Sequence, residues 1–129
     1  MRADEEARAF AALRLSYDVS TEHGFARLQW HNVCLLGFLD ALRFDSEQGY
    51  ARMQQAVQYA QERGYVLDLI DEKYLLAMVE QKRGALDRAS ALLREVIELA
   101  DPHGHVRICE DAERALRAIA ESRAISLPR

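Results

Sequence analysis

Apolar residues recur along this chain at the three- and four-residue spacing of an α-helix, and β-branched residues never accumulate with the alternation of a strand. Six helical stretches result. The first covers about Asp4 to Ser20, with Phe10, Leu13 and Tyr17 on one stripe, and Gly24 follows as its expected left-handed stop. The second, about Ala26 to Phe44, carries Val33, Cys34, Leu35, Leu36, Phe38, Leu39 and Leu42, an apolar face wide enough to predict near-complete burial. Asp45-Ser46-Glu47 then offers capping oxygens to a third helix ending near Arg63, with Tyr50, Met53, Val57 and Tyr59 as its apolar residues. Leu69, Ile70, Leu75, Leu76 and Val79 mark a fourth from about Val66 to Arg83, and Ala89, Leu92, Leu93, Val96 and Ile97 a fifth from about Leu86 to Ala100. The sixth, about Val106 to Ser122, keeps Ile108, Ala112, Leu116 and Ile119 but is more polar, as an end helix with one wet face must be. Residues 124–129 are expected to form a loose tail.

The pattern repeats. Shifting the chain by 40 positions superposes Gly24, Gly64 and Gly104, then Leu36, Leu76 and Leu116, then Arg43, Arg83 and Arg123, without a gap. Three copies therefore span 4–43, 44–83 and 84–123. Units of this size cannot bury their apolar faces alone and must stack, so the expected fold is an all-α solenoid of antiparallel helix hairpins forming one domain over 1–129. Ala9, Gly49 and Ala89 share one phase in mid-helix, where small residues let two helices approach closely. Gly49 costs its helix roughly 1 kcal/mol against Ala, which close packing would justify.

Composition narrows the function. Seventeen basic residues against 21 acidic ones give a net charge of −4, with the signs mixed along the chain, which disfavours direct nucleic-acid binding. The acidic N-terminus lacks the charge of a signal peptide, and no apolar run approaches the length of a membrane span. Cys34 and Cys109 are the two cysteines, far apart and each within a helix, so a reducing, cytoplasmic setting is expected rather than a disulfide framework.

Candidate chemistry is sparse. His103, His105 and Cys109 lie beside Glu110 and Asp111, and His105 and Cys109 share a helix face, but two ligands do not make a metal site. The acid pairs Asp71-Glu72 and Glu110-Asp111 sit near helix N-termini, where the helix dipole accounts for them. Arg43, Arg83 and Arg123 are placed to meet C-terminal carbonyls. With no nucleophile elbow, phosphate loop or HExxH, no enzyme activity, metal or cofactor is expected.

From Leu75 to Pro102, the run LLAMVEQKRGALDRASALLREVIELADP resembles a tetratricopeptide repeat: Leu76-Ala77, Gly84 at the turn, Ala89, Leu93, Val96 and Pro102 take the family's places. Glu80 stands where an aromatic is common, Val96 replaces the usual Ala, and the proline comes one residue late. A weaker copy runs through Leu36-Gly37, Gly49, Met53 and Ala56, with Phe44 at the turn position usually given to Gly. The 40-residue period is similar to the long-helix variety found in bacterial signalling regulators and polarity scaffolds.

The resemblance implies a right-handed solenoid whose concave groove is lined by the first helix of each hairpin, at His31, Cys34, Phe38 and Leu42; Asp71, Tyr74, Met78 and Lys82; and Asp111, Arg114 and Ala118. Tyr74 and Met78 are also spaced as core residues are, and only the repeat frame assigns them to the groove. The Lys and Asn carboxylate clamp of some family members is missing, since Cys34 and Phe38 fill its first places, so chaperone tails are not the expected ligand. The expected function is a scaffold binding a protein or peptide. An alternative is a sensory or regulatory module of a larger signalling protein, suggested by half-repeats at both ends. Apolar residues on the first helix also raise self-association through the end helices.

Overall fold

The computed structural model describes residues 3–23 and 25–126, and in the described residues the chain is all-helical. Six α-helices follow one another: α1 (Ala3–His23), α2 (Ala26–Phe44), α3 (Glu47–Arg63), α4 (Val66–Lys82), α5 (Leu86–Ala100) and α6 (Val106–Ser126), with one 3-10 turn at Asp101–His103. Two compact units divide the chain, Met1–Glu72 and Lys73–Arg129, and the division falls inside α4.

Glycine sets where the helices stop. Gly64, Gly84 and Gly104 have φ of 70°, 81° and 70°, a left-handed conformation that costs a side-chain-bearing residue about 1–2 kcal/mol. Each turn is closed by the same pair of bonds, such as Gly64 N–H to Gln61 O (3.3 Å) and Tyr65 N–H to Ala60 O (3.0 Å). Ala85 N–H to Glu80 O and His105 N–H to Ala100 O repeat the longer bond, as does Phe25 N–H to Ser20 O. The 40-residue spacing is thus visible as a recurring helix terminus. Gly24, the expected fourth stop, lies outside the described residues.

Where glycine is absent, the stop moves. Phe44 occupies the place of Gly84 in the repeat, and α2 continues through it so that Asp45, at φ 52°, takes the left-handed position. Ser46 then caps α3, its Oγ accepting from Gly49 N–H at 2.9 Å, as the run Asp45-Ser46-Glu47 predicts. At the other end, α6 passes the expected stop at Ser122 and continues to Ser126. Residues 122–125 contain no helix breaker, and the next one, Pro128, lies farther on.

In the N-terminal unit α1 packs on α2 and α2 on α3. Its core holds Cys34, Leu36, Ala41, Tyr50, Met53, Ala56, Ala60, Leu69 and Ile70. Asn32, buried on α2, donates from Nδ2 to Ser16 Oγ on α1 at 2.8 Å, so burial leaves that amide nitrogen satisfied. Gly37 and Gly49 let the α2 and α3 backbones meet: a Cβ on Gly37 would lie 2.6 Å from the Gly49 carbonyl oxygen. Close packing therefore explains the mid-helix Gly49. In the C-terminal unit α5 packs on α6, around Leu76, Ala77, Val79, Ala89, Leu93, Val96, Ala100, Ala112 and Ile119. Among the described residues no helix is long and apolar enough to cross a membrane.

Candidate functional site

Phe38 and Leu42, one helical turn apart on α2, both line a cavity of about 450 Å³ in the N-terminal unit. Phe10 of α1 and Phe44 at the end of α2 complete an aromatic wall, while Glu6, Asp40 and Arg43 supply its polar part. Phe44 is 67% exposed and Phe10 36%, so this wall meets solvent. The Arg43 guanidinium lies 5.2 Å from the Phe44 ring centre and steadies it as a cation–π partner. Arg43 thus reaches an aromatic ring as well as standing near the helix terminus that its sequence position suggested.

One and two turns earlier on α2, the groove positions behave differently. Cys34 is fully buried, so its side chain belongs to the core of α2 and does not line an open surface. The reason is the breadth of the apolar face of α2: with Leu36 and Ala41 also buried, a groove-phase residue is covered too. Burial first, then the charges of Glu72 and Asp71, push its thiol pKa well up, which keeps it a neutral packing group.

His31 is half-buried, and its Nδ1 lies 3.7 Å from Glu72 Oε1, a separation long for a formed hydrogen bond. Glu72 is 1% exposed. Neither His31 Nδ1 nor Glu72 Oε2 has a hydrogen-bond partner. Hydrogen-bonding approach to Glu72 lifts the His31 pKa against the pull of burial, and the charges of Glu72, Asp68 and Asp71 add to it. Burial lifts that of Glu72, with His31 opposing and Asp68 and Asp71 adding. Asp71, the neighbouring groove position, is exposed.

The helix dipole does not account for Glu72. It sits in the second turn of α4, covered and facing His31, which the reading of Asp71-Glu72 as an N-terminal pair misses. In the 40-residue frame Glu72 aligns with Asn32 and Ala112, and the structure buries all three.

In the C-terminal unit Tyr74 and Asp111 come together along an open depression that also includes His105, Val106, Arg107 and Ile108. Arg114 Nη1 reaches Asp111 Oδ1 at 3.3 Å, which positions the carboxylate beside the tyrosine. Burial raises the Tyr74 pKa, Asp111 adds to the rise and Arg114 opposes it, so the hydroxyl is held protonated as a hydrogen-bond donor. Met78 is half-buried and Lys82 exposed on the same helix; Ala118 is exposed on α6.

Glu80, unremarkable in sequence except for standing where an aromatic is common, is 2% exposed. Arg83 Nε, one turn on from Glu80, and Arg88 Nη1, from beyond the turn at Gly84, approach its carboxylate at 4.0 and 3.8 Å. His103 and His105 have ring centres 6.5 Å apart, and among the described residues no three His, Cys, Asp or Glu side chains converge to hold a metal ion. No family model, curated protein or solved structure matches this chain.

Proposed function

We propose that this chain is a non-enzymatic binding module of the tetratricopeptide type, which holds an apolar segment of a partner protein. One observation carries the reading: Phe38 and Leu42, two positions that the repeat register assigns to a ligand groove, line an apolar cavity whose rim residue Phe44 remains largely exposed. An exposed aromatic wall with a few charges beside it suits a peptide that anchors through a bulky side chain and is oriented by polar groups. In the C-terminal unit, the Tyr74 hydroxyl and the Asp111–Arg114 pair offer polar contacts of the kind that fix an extended segment.

The test is selection of a displayed random-peptide library on the full chain, followed by affinity measurement on wild type and on Phe44→Glu. Because Phe44 is exposed, the variant should keep its helical circular dichroism. Peptides carrying an aromatic or large aliphatic anchor should be enriched and should bind the variant at least about tenfold more weakly, the value of one buried apolar side chain. Failure to enrich, or equal binding to the variant, would remove the proposal.

A further inference from the structure

A second cavity of the N-terminal unit, about 440 Å³, has a different chemistry. Its volume lies in the roughly 300–1,000 Å³ range of small-molecule sites. Tyr17 and Trp30 supply aromatic surface, Val33 and Leu36 an apolar floor, and Arg14, Arg52, Gln29 and Gln55 the polar groups. Three helices build it. Arg14 and Tyr17 lie on α1, Gln29 to Leu36 on α2, and Arg52 and Gln55 on α3. The Gly37–Gly49 approach draws α3 onto α2 here, and the Arg52 Cβ lies 3.5 Å from where a Gly37 Cβ would stand.

The wall is preorganised while its polar groups remain available. Trp30 stacks on Tyr59 with ring centres 5.2 Å apart and planes 19° apart, and Arg63 sits 5.0 Å from the Tyr59 ring centre. Tyr59, which is not among the lining residues, thus backs the Trp30 ring. The Arg52 guanidinium and the Gln29 and Gln55 amides make no hydrogen bond or ion pair among the described residues. Arg14 has a long, exposed contact of 3.8 Å to Asp18 and lies 6.0 Å from the Tyr17 ring centre. Among the described residues no acidic side chain lines the cavity, and the two charged groups that do, Arg14 and Arg52, are positive although the chain's net charge is −4.

We infer that this cavity binds a planar aromatic carboxylate, its ring lying against Trp30 and Tyr17 and its anionic group between Arg52 and Arg14. Aromatic and apolar surface without a positive charge would accept any flat hydrophobic molecule. The guanidiniums select the anion, because their planar fork matches a carboxylate with two parallel hydrogen bonds. The glutamine amides can donate to the same oxygens or to ring substituents. This site is separate from the Phe38–Phe44 cavity and does not depend on the peptide-binding reading.

Trp30 is the single tryptophan, so the ¹⁵N-labelled full chain gives one indole Nε1–H signal that reports on this cavity. The probe is 2-naphthoate, with 2-naphthalenemethanol (ring without charge) and acetate (charge without ring) as comparisons. Naphthoate is expected to shift the indole signal saturably, with both comparisons binding at least about tenfold more weakly. Arg52→Gln, on an exposed helical position, should weaken naphthoate about tenfold and leave the alcohol unchanged, while Phe44→Glu should alter neither. Absence of a saturable shift, equal binding of the alcohol, insensitivity to Arg52→Gln, or loss of binding in Phe44→Glu would each overturn the assignment.

Discussion

A Cβ placed on Gly49 would stand 2.7 Å from the carbonyl oxygen of Gly37, and one on Gly37 would stand 2.6 Å from the carbonyl oxygen of Gly49. The two glycines, on α3 and α2, therefore hold each other's backbone in contact. The Gly49 Cβ would also meet Asp40 Cβ at 3.0 Å and Ala41 N at 3.2 Å, so little around it can yield.

Gly49→Ala sets two effects against each other. Helix propensity favours alanine by about 1 kcal/mol. Overpacking a rigid crossing costs typically about 1–3 kcal/mol, and here the opposing atom is backbone, which cannot rotate away. The expected net result is destabilisation of up to about 2 kcal/mol, read as a lower midpoint in urea unfolding. A variant more stable than wild type would show that α2 and α3 are less tightly apposed.

The His31–Glu72 contact makes a prediction about pH. Both pKa values are raised in the folded chain, from ordinary values of 6.5 and 4.5, so the folded state holds more protons than the unfolded one. Stability must then fall as pH rises through that window, beginning above about 4.5 and continuing past 6.5. Thermal melts across this range should show a declining melting temperature, and Glu72→Gln should flatten the decline by removing one titrating carboxylate and the largest cause of the His31 shift. A melting temperature that rises with pH in wild type, or an unchanged slope in the variant, would contradict the pairing.

Glu80 is buried with both oxygens lacking hydrogen bonds, and its two arginines stand at 3.8 and 4.0 Å. A buried carboxylate so incompletely satisfied recovers little of its desolvation cost. Glu80→Met, which keeps the volume and removes the charge, is expected to range from neutral to stabilising by about 1–4 kcal/mol in denaturant unfolding. A loss of stability would mean that the arginines hold this turn more firmly than the distances imply.

How much of the candidate site is legible beforehand depends on the kind of signal each residue gives. Phe38 and Leu42 are marked by repeat register and do line an open cavity, but Phe10 comes from another helix, and Phe44, at a turn position of the repeat, carries no mark as a lining residue. Cys34 shares their register yet is covered, because the apolar face of α2 is broad. Glu72 and Glu80 look like ordinary helical acids, since nothing in a single helix says which side its neighbours will cover.

The sequence alone determined the six helices and the points where most of them turn, since hydrophobic spacing, Ser46 as a cap, and glycine's access to positive φ all act within a few residues. It also marked Gly49 as a place of close approach and Gly37 as a repeat position, but that the two meet was decided only when α2 and α3 came together. Tertiary structure decided the rest. It covered Cys34, set Glu72 against His31, and gathered Arg14, Trp30 and Arg52 from three helices around one cavity. Burial and electrostatics depend on distances between residues far apart in the chain, and only packing fixes those distances.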